Sequence, residues 1–154
     1  MPKDNTVLME GVRLIFRNFR GKGGPYNQEG ARNFGVVLPP DVAEAMQRDG
    51  WNVKTLDPRD EDEEPTPWLQ VKVRYGTGWP LKITLITERG QTVLDESAVD
   101  MLDWADITNV DLIVRPSPYE VGGRTGIAAY VQSMYVTIEE DALERKYAEM
   151  DTAS

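Results

Sequence analysis

Strict alternation of apolar and polar positions marks the middle of this chain. From Trp68 to Tyr75, the residues Leu69, Val71, Val73 and Tyr75 fall on one face and Gln70, Lys72 and Arg74 on the other, the period of a strand with one side in a core. Val12, Leu14 and Phe16 alternate with Arg13, Ile15 and Arg17 in the same way. An earlier strand is therefore expected, with Val12, Leu14 and Phe16 inward and Arg13, Arg17 and Phe19 outward. Gly21, Gly23, Gly24 and Pro25 break it into a flexible loop near residues 20–31. Asn33 to Leu38 resumes as a strand, and Pro39-Pro40 stops it. Leu81 to Thr87 and Ile127 to Ile138 are further strands, the second the longest. Asn52 to Leu56, Thr92 to Leu94 and Val110 to Arg115 are shorter candidates, the last ended by Pro116 and Pro118.

Helical signals are few. Asp41 is placed to cap a helix from Val42 to Arg48, with Glu44 completing a capping-box-like start and Gly50 ending it. Ala98, Met101, Leu102 and Ala105 share one stripe of a second helix over about residues 97–105. A short acidic helix with Leu143, Tyr147 and Met150 on one side closes the chain. Gly122-Gly123 supplies positive φ to a turn in a wide hairpin from Tyr119 to Gly126. The sum is a mainly β domain over residues 1–154 with short helices and five to seven antiparallel strands. A partly closed, OB-fold-like barrel fits it, and so does a small sandwich.

Composition narrows the chemistry. The chain has no cysteine and no histidine, which removes disulfides, thiolate nucleophiles, the usual zinc sites and Ser-His-Asp catalysis. No apolar run approaches the roughly 20 residues of a membrane span. The N-terminus lacks the layout of a secretory signal, so a cytoplasmic protein is expected. No pair of carboxylates sits on expected rigid elements in a way that suggests acid–base work, and neither enzyme activity nor a cofactor is expected. The acid run from Asp60 to Glu64 lies between prolines, without the alternation or central glycine of a calcium loop. It reads as an exposed loop near residues 57–67.

Charge is unevenly spread. The net charge is -9, yet residues 1–35 carry six cations against three acids. The segment Arg13 to Tyr26 gathers Arg13, Arg17, Arg20 and Lys22 with Phe16, Phe19 and Tyr26, and no carboxylate. Cations attract phosphates, and exposed rings accept unpaired bases at roughly 1–3 kcal/mol each. This pattern suits single-stranded nucleic acid. Lys72, Arg74, Trp79 and Lys82, around a second glycine-rich turn, extend the same surface, and Arg32 adds a further cation. The opposing reading is an acidic interaction module, a host-defence inhibitor or DNA mimic, that draws on the -12 carried by residues 36–154.

Several segments together resemble phage and prophage single-stranded DNA-binding proteins of the OB-fold type. They are Gly11 to Phe19 (GVRLIFRNF), Arg32 to Pro39 (RNFGVVLP), Asp49 to Lys54 (DGWNVK), Leu102 to Asp106 (LDWAD) and Ala129 to Glu140 (AYVQSMYVTIEE). The likeness is one of layout and covers about residues 7–147. It implies a groove of aromatics and cations that binds single-stranded DNA with little sequence preference, in phage replication or recombination within the bacterial host cell. It also implies replication or recombination proteins as partners of the acidic segment 139–154, and is compatible with a homodimer. Arg13, Arg17, Arg20, Lys22, Arg32, Lys72, Arg74 and Lys82 are the expected phosphate contacts, and Phe19, Tyr26 and Trp79 the expected stacking rings.

Overall fold

A computed structural model describes residues 6–25, 27–58, 61–78 and 80–139. Nine strands form along it: β1 (Val7–Met9), β2 (Leu14–Asn18), β3 (Arg32–Val37), β4 (Val53–Leu56), β5 (Thr66–Val73), β6 (Lys82–Thr87), β7 (Gly90–Leu94), β8 (Ile107–Val121) and β9 (Arg124–Ile138). One α-helix, α1 (Pro40–Arg48), lies between β3 and β4, and a single 3-10 helix (Val99–Asp103) between β7 and β8. The fold is mainly β, as the alternation predicts.

The main strand order is β1-β8-β9-β5-β3-β2. Its two ends are successive pieces of one stretch of chain. Val7 to Met9 pair with β8, and Leu14 to Asn18 pair with β3. Between them the Val12 amide donates to the Val110 carbonyl and the Val37 amide to the Arg13 carbonyl, each at 3.0 Å. The N-terminal strand thus joins both ends of the sheet and wraps it into an OB-like barrel.

The expectation of five to seven antiparallel strands is corrected in two respects. There are nine strands, and β9 runs parallel to both β5 and β6. Tyr130 pairs with Lys72 of β5, and a few residues on, Ser133 to Thr137 pair with Lys82 to Ile86 of β6. A parallel pair needs a long connection. The β6–β7 hairpin, the 3-10 helix and β8 supply it.

Strand β8 continues through Pro116 and Pro118, which pair with Ala129 and Ile127, where the sequence suggests an interruption. Past Val114 the edge of β8 away from β9 has no strand partner among the described residues. A proline whose nitrogen faces such an edge removes no ladder hydrogen bond. The β8–β9 turn is tight, not wide: Val121 pairs with Arg124 across Gly122 and Gly123, at φ 58° and 80°, values that glycine adopts without strain.

The helices also differ from expectation. α1 begins after Pro39 with no side-chain cap, and Asp41 sits in its first turn, where a carboxylate opposes the positive end of the helix dipole. The stripe near residue 100 forms only a 3-10 helix, with Val99 and Leu102 buried. The Asp95 carboxylate accepts from the Ser97 hydroxyl and from the Ser97 and Ala98 amides. This holds the chain in a turn before the helix, and the same bonds, the Ser97 hydroxyl foremost, lower the Asp95 pKa. The expected C-terminal helix lies outside the described residues.

Phe34, Val36, Leu69, Val71, Val110, Leu112, Val114, Met134 and Val136 fill the barrel, each at most 1% exposed. Their alternation along β3, β5, β8 and β9 leaves the opposite positions facing out.

Candidate nucleic-acid interface

Register decides which side chains share the outer face. Directly paired residues point to the same side of a sheet. Phe34, Val36, Leu69 and Val71 are inward, so Asn33, Gly35, Trp68, Gln70 and Lys72 point out. Lys54 of β4 pairs with Trp68, and its ammonium lies 5.4 Å from the centre of the Trp68 ring. Tyr130 of β9 pairs with Lys72 on one side and with Arg115 of β8 on the other. Outward residues of four adjacent strands therefore form one continuous surface.

Tyr130 is its electrostatic centre. The Arg115 guanidinium lies 5.2 Å from the ring centre, that of Arg74 5.6 Å and the Lys72 ammonium 5.9 Å. An aromatic face attracts cations, and here three gather around one ring. Nucleic-acid phosphates neutralised by such cations release condensed counterions.

A second group sits at the end of β2. Phe16 is 57% exposed and meets Trp68 edge-on, with ring centres 5.1 Å apart. Trp104 is 65% exposed, with the Arg20 guanidinium 5.7 Å from its ring centre. Phe16, Arg17, Arg20, Lys22 and Trp104 line one shallow hollow.

Of the residues expected from sequence, Lys72 and Arg74 lie on the face with Tyr130, and Arg20 and Lys22 in the hollow. Lys82 is exposed at the start of β6, opposite Ser133. Arg13 is exposed. Arg17 donates at 2.9 Å to both the Leu102 and Ala105 carbonyls, and so ties β2 to the 3-10 helix. Arg32 pairs with inward Val73, forms an ion pair of 3.2 Å with Glu96 and lies 5.9 Å from the Tyr75 ring centre. Its strand position is in the inward phase, but its side chain shares a hollow with Lys72 and Arg74. Tyr26 and Trp79 lie outside the described residues.

Phe19 and Phe16 exchange places relative to the sequence expectation. Phe19 is fully buried and stacks on Phe34 at 5.0 Å, so base stacking is closed to it. The cause is a register shift between Ile15 and Asn18: these pair with Gly35 and Asn33, so β2 sets two residues against one of β3. This bulge reverses the alternation beyond it.

Sequence reasoning missed Phe16, Lys54, Trp68, Trp104, Arg115 and Tyr130 as members of the surface. For Trp68 and Tyr130 the signal was present: each stands in the outward phase of its own alternating strand. Phe16 carried no such signal, because its phase depends on the bulge.

An OB-like barrel with cations set against rings on one outer face is the architecture these observations define. The chain belongs to the family described as "Putative phage ssDNA-binding domain", which matches residues 2–154. No curated protein matches it. Among solved structures, the single-stranded DNA-binding protein of bacteriophage Enc34 with its C-terminus truncated is similar at a TM-score of 0.56 and 14% identity, over 90% of this chain and 88% of that one. The Enc34 protein in complex with single-stranded DNA is similar at a TM-score of 0.55 and 13% identity, over 90% and 89% of the two chains. At such identity these two likenesses concern the fold.

Proposed function

We propose that this chain binds single-stranded DNA along the face of β4, β5, β9 and β8 and the adjoining hollow at the end of β2. The observation that carries the reading is the Tyr130 ring with Lys72, Arg74 and Arg115 around it, on a barrel of the phage ssDNA-binding domain family. The cations neutralise phosphates, while Trp68, Trp104 and Phe16 offer rings to unpaired bases. Every base has a stacking face, so such contacts discriminate little among sequences. The role is binding in phage DNA replication or recombination, inside the host cell and without catalysis. Among the described residues no helix is long and apolar enough to cross a membrane.

The test is fluorescence titration with oligo-dT and with duplex of equal length, at low and high salt. Trp104 is exposed and Trp68 half-buried, whereas Trp51 is buried, so Trp68 and Trp104 place two reporters on the proposed surface. Quenching by the single strand that weakens steeply with salt is expected. No change with either nucleic acid would overturn the reading and favour an acidic protein-interaction module.

A further inference from the structure

Phe16 has a backbone conformation that burial does not account for. Its φ is 51°, and it is the one described non-glycine residue in the left-handed region. A bulky L residue is rarely found there, because Cβ crowds its own backbone. Strain of this kind persists where surrounding structure enforces it, and it gathers at functional positions.

The bulge that produces it exchanges two phenylalanines. Without the extra residue, the alternation of β2 would turn Phe16 inward, opposite Phe34. With it, Phe19 fills the core against Phe34 and Phe16 stands outside at 57% exposure. The core is complete without Phe16. Glycine or asparagine would adopt the same φ with less strain, yet the position carries a large apolar ring.

What surrounds the ring suits a flat ligand. Trp68 meets it at an interplanar angle of 62°, edge against face. Beneath them Gly35 has no room for a side chain: a Cβ there would lie 2.8 Å from both Ile15 and Trp68. The Trp68 ring thus rests on a bare backbone floor, with Phe16 edge-on beside it and the Lys54 ammonium over the Trp68 ring. Cations neutralise the phosphates of single and double strands alike. A base offers its flat face to a side chain only when it is unstacked from its neighbours.

Resting on the single-strand reading above, we infer that Phe16, held outward by the bulge, is a base-stacking residue that sets the preference for single-stranded over duplex DNA.

The experiment compares Phe16→Gly, Phe16→Asn and Phe16→Tyr with the parent chain, by melting temperature and by affinity for oligo-dT and for duplex. The Gly and Asn variants should melt no lower than the parent, because the strain is relieved. Their affinity for oligo-dT should fall roughly 5- to 150-fold, as expected for one lost base stack. Duplex affinity should change less than twofold, and Phe16→Tyr, which keeps the ring, should bind like the parent. Unchanged oligo-dT affinity in folded Phe16→Gly, or equal losses on both nucleic acids, would overturn the inference. If the parent itself ignores oligo-dT, the single-strand reading fails instead, and the parent titration separates the two failures.

Discussion

Two clusters of positive charge differ in what their cations are used for. The corner from Arg13 to Lys22 is the densest basic stretch of the sequence, yet its Arg17 spends one guanidinium nitrogen on the carbonyls of Leu102 and Ala105. In return, the Asp103 carboxylate accepts from the Phe19 and Arg20 amides at 2.6 and 3.2 Å. The four bonds clamp β2 to the 3-10 helix. On the sheet face, by contrast, Lys72 of β5, Arg74 just beyond that strand and Arg115 of β8, far away in sequence, meet over Tyr130. Charge density along the chain marks the first cluster. In the second, alternation marks Lys72 and Arg74, and only register brings Tyr130 and Arg115 to them.

The comparison breaks most directly at the face. Replacing Lys72 and Arg74 together by alanine should weaken oligo-dT binding by roughly tenfold or more at low salt. The slope of log affinity against log salt should fall by about 1.4, since each phosphate contact on a single strand contributes about 0.7. The fold should survive, because Arg74 is exposed and Lys72 points away from the core. A variant with the parental salt slope would show that the DNA path lies elsewhere.

The corner should respond in the opposite currency. Asp103→Ala leaves two backbone amides without their acceptor, and Arg17→Ala removes the donor from two carbonyls. Each should cost about 1–2 kcal/mol of stability in denaturant unfolding, at the modest end of charged hydrogen bonds because part of the clamp is open to water. Arg17→Ala should reduce oligo-dT affinity less than the loss of Lys72 and Arg74. If it abolishes binding while stability holds, Arg17 faces DNA rather than the 3-10 helix.

Alternation made β5 and β9 legible, because both faces of these strands keep one phase past residue 68 and up to residue 131. Strands β6 and β7 were legible as Leu81 to Thr87 and Thr92 to Leu94. A bulge is not written in apolar periodicity, so the phase of β2 beyond Ile15 was inverted and Phe16 and Phe19 changed roles. Pairing between β5 and β9 is non-local, and no local signal announces that Lys72 will sit beside Tyr130. The prolines of β8 were misread for a related reason: whether a proline ends a strand depends on which edge its nitrogen faces, and that is a property of the sheet.

Arg32 provides the finest test of how the two clusters divide. Its guanidinium forms an ion pair with the exposed Glu96 carboxylate and lies against the half-buried Tyr75 ring. Burial raises the Tyr75 pKa to about 12, although Arg32 pulls it down and Glu96 and Asp95 push it up. The hydroxyl is buried with no hydrogen-bond partner among the described residues. Because the folded pKa exceeds the ordinary 10.0, the native state holds the phenolic proton more tightly than the unfolded chain. This contribution is complete below pH ~10 and drains away as pH rises towards ~12. Tyr75→Phe cannot lose it, and it removes an unsatisfied buried group at near-neutral or favourable cost. The variant should match or slightly exceed the parent in melting temperature at pH 7, with an advantage that widens steadily above pH 10. A constant difference across that range would mean that Tyr75 titrates as in water, with its hydroxyl hydrated in the folded chain rather than buried beside Arg32.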